Sequence, residues 1–142
     1  MRDHQIGAYG AAALVFDVGI KIAAVAVLAT RGDAVRACAA AVAVSRVVPV
    51  VLGVALPYAR AGEGLGRVLT TAGWGRAVVA VAIGAIVAAL LGFAPLLGVA
   101  AASAVVVGLT ARAWLGGVTG DILGASAELT ELAALVAAVV LT

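Results

Sequence analysis

The sequence predicts an all-α, polytopic transmembrane helix bundle with about five spans. Three observations lead there. Of the 142 residues, 65% are hydrophobic and only 11% are charged, against about 25% charged in ordinary soluble domains. The mean hydropathy is +1.26. Apolar runs of Ala, Val, Leu and Ile recur along the chain, each of about 18–22 residues, enough for a helix to cross a hydrocarbon core of roughly 30 Å. A secretory signal peptide fits poorly, because the first ten residues are polar and several similar apolar runs follow.

Taken in order, the first span is Ala8–Ala29. It carries Asp17 and Lys21, whose i,i+4 spacing puts both side chains on one helical face. Such a pair either neutralises itself so that the span can insert, or sets Lys21 toward a substrate cavity with Asp17 orienting it. The second span, Ala34–Leu56, carries Arg46 near its middle with no acid close in sequence. A guanidinium at that depth must face the bundle interior, water or an anion. Glu128 or Glu131 across the bundle is a candidate partner, and an anionic substrate is the other. Gly62–Gly75 forms the longest polar connection. The third span, Gly75–Phe93, and the fourth, Leu96–Leu115, are joined by a tight turn at Gly92–Pro95, with the proline ending the preceding helix.

The fifth span is Ile122–Leu141, and the stretch around its start is the most informative of the chain. Leu115–Leu132, LGGVTGDILGASAELTEL, places Asp121, Glu128 and Glu131 and a glycine-rich turn in apolar surroundings. An acid at the centre of a membrane helix costs about 2.5–3.5 kcal/mol on insertion scales, so three close together call for a cation, a metal or a substrate. Asp121, at or just before the helix start, is placed to cap free N–H groups. Capping explains neither glutamate.

With five spans, Arg2, Arg60, Arg67, Arg76 and Arg112 fall on one side and Arg31 and Arg36 on the other. The excess assigns the first side to the cytoplasm, so the protein is expected to be integral to the cytoplasmic (inner) membrane, with lipid as its surroundings. That side holds Met1–Gly10, Pro57–Gly75 and Arg112–Asp121, and with them nearly every motif-like residue. Nucleic-acid binding is excluded by the absence of a basic run with interleaved aromatics. Cys38 is the only cysteine, which excludes a disulfide framework and a cysteine metal site within one chain; it is expected to be a small packing residue. His4 lies in the polar amino-terminal tail, where a solvated imidazole is the plain expectation and a general base the sharper one.

Three blocks in order resemble the cobalamin synthase family, adenosylcobinamide-GDP ribazoletransferase. Met1–Gly10, MRDHQIGAYG, is similar to a family segment of the form M-[KR]-D-x-x-I-G-x-[YF]-G. Ser45-Arg46 is followed by Pro57-Tyr58-Ala59-Arg60 and Gly64-Leu65-Gly66. Leu115–Leu132 resembles the signature LGGxTGDxLGAxxExxE. Family members carry, before the first block, further spans and an acidic segment of the form H-x-D-G-x-x-D-x-x-D, which does not occur here. The chain is therefore expected to be one membrane domain over 1–142, the carboxyl-terminal portion of a longer enzyme.

The resemblance implies a transferase that joins adenosylcobinamide-GDP to α-ribazole or its 5′-phosphate, releases GMP and acts late in cobalamin biosynthesis. Attack at a pyrophosphate-linked phosphorus needs spread negative charge neutralised, which Mg²⁺ and cationic side chains do. Arg2, Lys21, Arg46 and Arg60 are then expected on phosphate oxygens. Asp3 would bind metal or orient Arg2, and Asp121 and Glu128 would serve a metal or ribazole site. Gly116, Gly117 and Gly120 would form a tight loop, with Thr119 offering its hydroxyl. Within this set, Asp3, Arg46 and Asp121 are the expected catalytic residues. The main Mg²⁺ ligands are expected in the amino-terminal acidic segment, and the expected macromolecular partners are an amino-terminal half or a second copy. The rival readings are a small transporter or channel subunit, whose charges would line a path, and an inactive remnant.

Overall fold

The computed structural model describes residues 7–59, 70 and 73–142. Among these residues the fold is all helical, with α1 (Ala8–Thr30), α2 (Ala34–Ala55), α3 (Trp74–Leu90), α4 (Leu96–Leu115) and α5 (Gly120–Leu141). Four of them, α1, α2, α4 and α5, are long and apolar enough to cross a membrane, and α3 is a shorter apolar helix of 17 residues. The predicted spans fall on these helices, and the differences at their ends have identifiable causes.

The third helix stops at Leu90, three residues before its predicted end at Phe93. Gly92 adopts φ +83°, its N–H bonds the Ala89 carbonyl and the Phe93 N–H bonds the Ala88 carbonyl at 2.7 Å. This is the Schellman closure, for which a left-handed glycine is suited. Pro95, expected to end α3, instead stands at the N-cap of α4. The same closure ends α1, through Gly32 at φ +77° and the Asp33 N–H on the Leu28 carbonyl. The last helix begins at Gly120 rather than Ile122, because Thr119 is its N-cap and accepts the Ile122 N–H on its hydroxyl at 3.3 Å. Asp121 is thus not the cap. It lies in the first turn, where the helix dipole favours a negative charge.

α2 is the centre of the bundle and packs against the other four helices. Its buried side is small, with Ala37, Ala40, Ala41, Val44, Ser45, Val48, Leu52 and Gly53. Small residues let membrane helices approach closely, where packing rather than hydrophobicity holds them together. A Cβ on Gly84 of α3 would sit 2.6 Å from the Val47 side chain of α2, and one on Gly108 of α4 would sit 3.0 Å from Leu52. The three buried hydroxyls, on Ser45, Ser126 and Thr130, bond carbonyls of their own helices, so none is left unsatisfied in the interior. Cys38 packs, partly buried, against this core, as expected of a small apolar thiol. Pro49 lies within α2 without ending it, as membrane helices tolerate.

The outer surface is apolar: Phe16, Ile22, Val79, Ile83, Val105 and Leu109 are all exposed. Large side chains outside and small ones inside suit a lipid surrounding. Tyr9 at the start of α1, Trp74 at the start of α3 and Trp114 near the end of α4 are exposed as well. In an up-and-down bundle these three positions lie at one end, where an interfacial aromatic belt belongs. At the opposite end Arg31 donates to the Val139 carbonyl and the Thr142 hydroxyl at the end of α5, and Arg36 pairs with Asp33.

At the aromatic end two connections are joined through their backbones. Tyr58 and Val118 form an isolated parallel bridge, with the Val118 N–H on the Pro57 carbonyl and the Ala59 N–H on the Val118 carbonyl, both at 2.9 Å. Gly116 ends α4 in the left-handed region at φ +72°. Gly117 is needed for the approach itself, since a Cβ there would lie 2.1 Å from the Pro57 carbonyl oxygen.

Candidate functional site

Five charged side chains from three helices meet inside the bundle. Lys21 on α1 places Nζ 2.6 Å from Glu128 Oε2, 3.1 Å from Asp17 Oδ2 and 3.5 Å from Glu131 Oε1. Arg46 on α2 donates to Glu131 Oε2 at 2.9 Å, while its nearest approach to Glu128 is 3.9 Å, outside hydrogen-bond range. Both readings that sequence spacing allowed for Asp17 and Lys21 began from a pair on one face, and that pair is formed. The partner of Arg46 is Glu131.

The helix registers explain the meeting. Asp17 is nine residues from the start of α1, Glu128 eight from the start of α5, and Arg46 nine before the end of α2. At 1.5 Å of rise per residue each lies about 12–14 Å from the aromatic end. Lys21 and Glu131 lie a turn deeper. The two α5 glutamates, three residues apart, share one face. Glu131 is the hub, since it alone touches both cations within 3.5 Å. It is mostly buried, as are Lys21 and Asp17, whereas Arg46 and Glu128 are each about half exposed, with side chains at 54% and 53%. Three carboxylates against two cations leave the cluster with formal charge −1.

Arg46 therefore keeps guanidinium N–H donors that no carboxylate among the described residues takes up by a hydrogen bond, and its side chain is half exposed. Lys21 is enclosed by three carboxylates. Glu128 has one oxygen held by Lys21, and the other, 3.9 Å from Arg46, takes no hydrogen bond among the described residues. Of the residues singled out from sequence, Lys21, Arg46 and Glu128 are brought together here. Gly117 and Thr119 lie in the joined loops at the aromatic end, and Asp121 is two residues further on, in the first turn of α5. Arg2, Asp3, His4 and Arg60 lie outside the described residues. Glu131 and Asp17 complete the cluster, and the sequence signal for each was its three- or four-residue spacing from another intramembrane charge.

The donor set does not make a metal cage. Among the described residues no group of three or more His, Cys, Asp or Glu side chains is placed to hold an ion. Asp121 and Glu128 are seven residues apart on α5, about 10 Å along its axis. Two grooves elsewhere are apolar. One of about 390 Å³ lies between α4 and α5, lined by Val106, Trp114 and Leu129 among others, and one of about 300 Å³ lies among α2, α3 and α4. They suit acyl chains rather than a charged ligand.

With this geometry in place, the comparisons with known proteins are decisive on ancestry. The family model for cobalamin-5-phosphate synthase matches residues 1–139. The chain belongs to the cobalamin-5-phosphate synthase family. It is 42% identical over 147 aligned positions to a protein named adenosylcobinamide-GDP ribazoletransferase from Shigella flexneri, and equally so to one of that name from Escherichia coli K12. Each alignment covers 96% of this chain and 58% of the relative, so the chain spans under two thirds of the length of these relatives. No solved structure matches. Two of the three family blocks are the segments the structure joins, Pro57-Tyr58-Ala59 and Gly117-Val118-Thr119.

Proposed function

We propose that this chain forms the membrane-embedded part of a ribazoletransferase, which joins adenosylcobinamide-GDP to α-ribazole or its 5′-phosphate and releases GMP. The observation that carries the reading is the family match, which runs through both the joined loops and the helices that bear the charge cluster. In this reaction a ribazole hydroxyl oxygen forms a bond to the cobinamide-bearing phosphorus, and the bond from that phosphorus to the GMP oxygen breaks. Negative charge grows on the phosphate oxygens and must be met by placed donors.

Arg46 is the proposed donor to those oxygens, because it is half exposed and retains free N–H groups while Glu131 fixes it. Lys21 reaches a phosphate only by exchanging one of its three carboxylates; until then it holds Glu128 in place. Arg2 and Arg60 are proposed as further phosphate contacts. Asp3 and Asp121 are proposed as catalytic residues, Asp121 lying in the first turn of α5 beside the joined loops, with Thr119 and Gly117 shaping the wall for substrate. Mg²⁺ belongs to the proposal only as an ion held largely by water and phosphate oxygens, with at most one carboxylate from α5, since magnesium sites commonly use one or two carboxylates with substrate phosphates. The aromatic end is proposed to face the cytoplasm, on the arginine excess, in the cytoplasmic membrane. An amino-terminal half or a second copy is the proposed protein partner.

The test is GMP release from adenosylcobinamide-GDP by membranes carrying the protein. Release should require α-ribazole and Mg²⁺. Transport of a solute across sealed vesicles with no GMP formed would replace this reading with that of a transporter subunit.

A further inference from the structure

We propose that the gap between the first halves of α1 and α5 is a water-filled crevice, open at the aromatic end and floored by Arg46, Glu128 and Lys21 near mid-membrane. The proposal stands on geometry alone, whatever the cluster binds.

Four observations lead to it. Every residue from Gly7 to Phe16 is exposed, and α1 buries only Ala24 and Leu28, both beyond its middle. Its first half is thus unpacked against the described residues. α1 and α5 run parallel, since Lys21 meets Glu128 and Glu131 midway while Arg31 beyond the end of α1 meets Val139 and Thr142 at the end of α5, so the first half of α1 lies level with Gly120–Ala127. On that stretch of α5, Asp121, Gly124 and Glu128 are exposed at spacings of three and four, one stripe along the helix. A Cβ on Gly124 would meet nothing within 4 Å. The stripe leads from the loop end to the cluster.

The fourth observation favours water over acyl chains as the occupant. Arg46 and Glu128 are half exposed about 12–14 Å below the aromatic end. Charged side chains at that depth do not face acyl chains; they face a protein interior or a water-filled cavity. The exposed sides of these two residues meet no other part of the described chain, and the floor offers open donors and an open carboxylate oxygen, which water satisfies. The apolar groove between α4 and α5 is the contrast, with no charged residue in its lining.

The experiment places single cysteines in a Cys38→Ala background and measures their reaction with a membrane-impermeant cationic methanethiosulfonate in sealed vesicles of each orientation. Glu128→Cys and Asp17→Cys each bring the formal charge of the cluster to zero, so insertion is not made harder, and either variant alone carries the test. Val105→Cys, exposed on α4 at similar depth, is the lipid-facing reference. Thiols in lipid do not ionise and react slowly, so the crevice cysteines should react at least about tenfold faster than the reference, and only from the side of the Tyr58–Val118 bridge. Rates equal to the reference, as lipid or a second polypeptide filling the gap would give, overturn the proposal. So does reaction only from the opposite side.

Discussion

Arg46 illustrates how far a single residue can be read. Its depth in an apolar run called for a partner, either a glutamate on the last span or an anionic substrate; the structure pairs it with Glu131 and leaves it half exposed. The Asp17–Lys21 pair was legible outright, since i,i+4 spacing settles it. What the sequence did not disclose is the division of labour. Glu131 is the buried hub that both cations share, while Glu128 is half exposed with one oxygen open. That depends on helix rotation, which spacing within one helix does not determine. Ser45 shows the converse: it reads as part of a motif with Arg46, yet its hydroxyl bonds the Val42 carbonyl and its face is packed. Replacing Glu131 by Ala should destabilise the bundle by about 1–3 kcal/mol, because it strips a buried partner from two charges. Glu128→Ala should cost less. Reversible unfolding in mixed micelles measures both, and an equal or larger loss in Glu128→Ala would contradict the hub assignment.

Among elements, the helices themselves were legible from apolar run length, and their ends were not. The Schellman turns at Gly32 and Gly92 close α1 and α3 through backbone bonds that only a left-handed residue permits. At α5 the sequence pointed to Asp121 as the cap, and Thr119 takes that place by accepting the Ile122 N–H. The Tyr58–Val118 bridge was invisible in sequence, because non-local backbone pairing leaves no periodicity in either segment. Thr119→Ala should cost about 0.5–2 kcal/mol of stability through the lost cap. Gly117→Ala should cost about 1–3 kcal/mol, as the added methyl has no room beside the Pro57 carbonyl. It should also free the two loops from each other. Amide hydrogen exchange at Val118 and Ala59 reads this directly: protection should fall in Gly117→Ala and hold in Thr119→Ala. At the α2–α3 contact, Gly84→Leu should separate the helices, and cross-linking between cysteines at Val47 and Ala85, which line one groove, should drop.

At the scale of the whole molecule, composition alone announced a membrane protein, and the counting of spans put the polar motifs at one end. The structure gathers two of those motifs there, Pro57-Tyr58-Ala59 and Gly117-Val118-Thr119, and ringed helix ends with Tyr9, Trp74 and Trp114 mark the same end. A bundle of Ala- and Gly-rich helices is generic, and membership of the cobalamin-5-phosphate synthase family comes from ordered blocks and from matched residues 1–139, not from shape. The half-exposed charges at mid-depth are what distinguish this bundle from a purely apolar one.

The most direct test of the central claim, that Arg46 in this cluster serves phosphoryl transfer, is GMP release by membranes from cells carrying Arg46→Ala at the natural locus, compared with wild type. Loss of one charge-stabilising donor in such a site typically lowers turnover by about 10²–10³-fold. Wild-type membranes should release GMP when both substrates are present, and the variant, inserted in equal amount, should fall by that order. Turnover in Arg46→Ala close to wild type, or no GMP release from wild-type membranes, would contradict it.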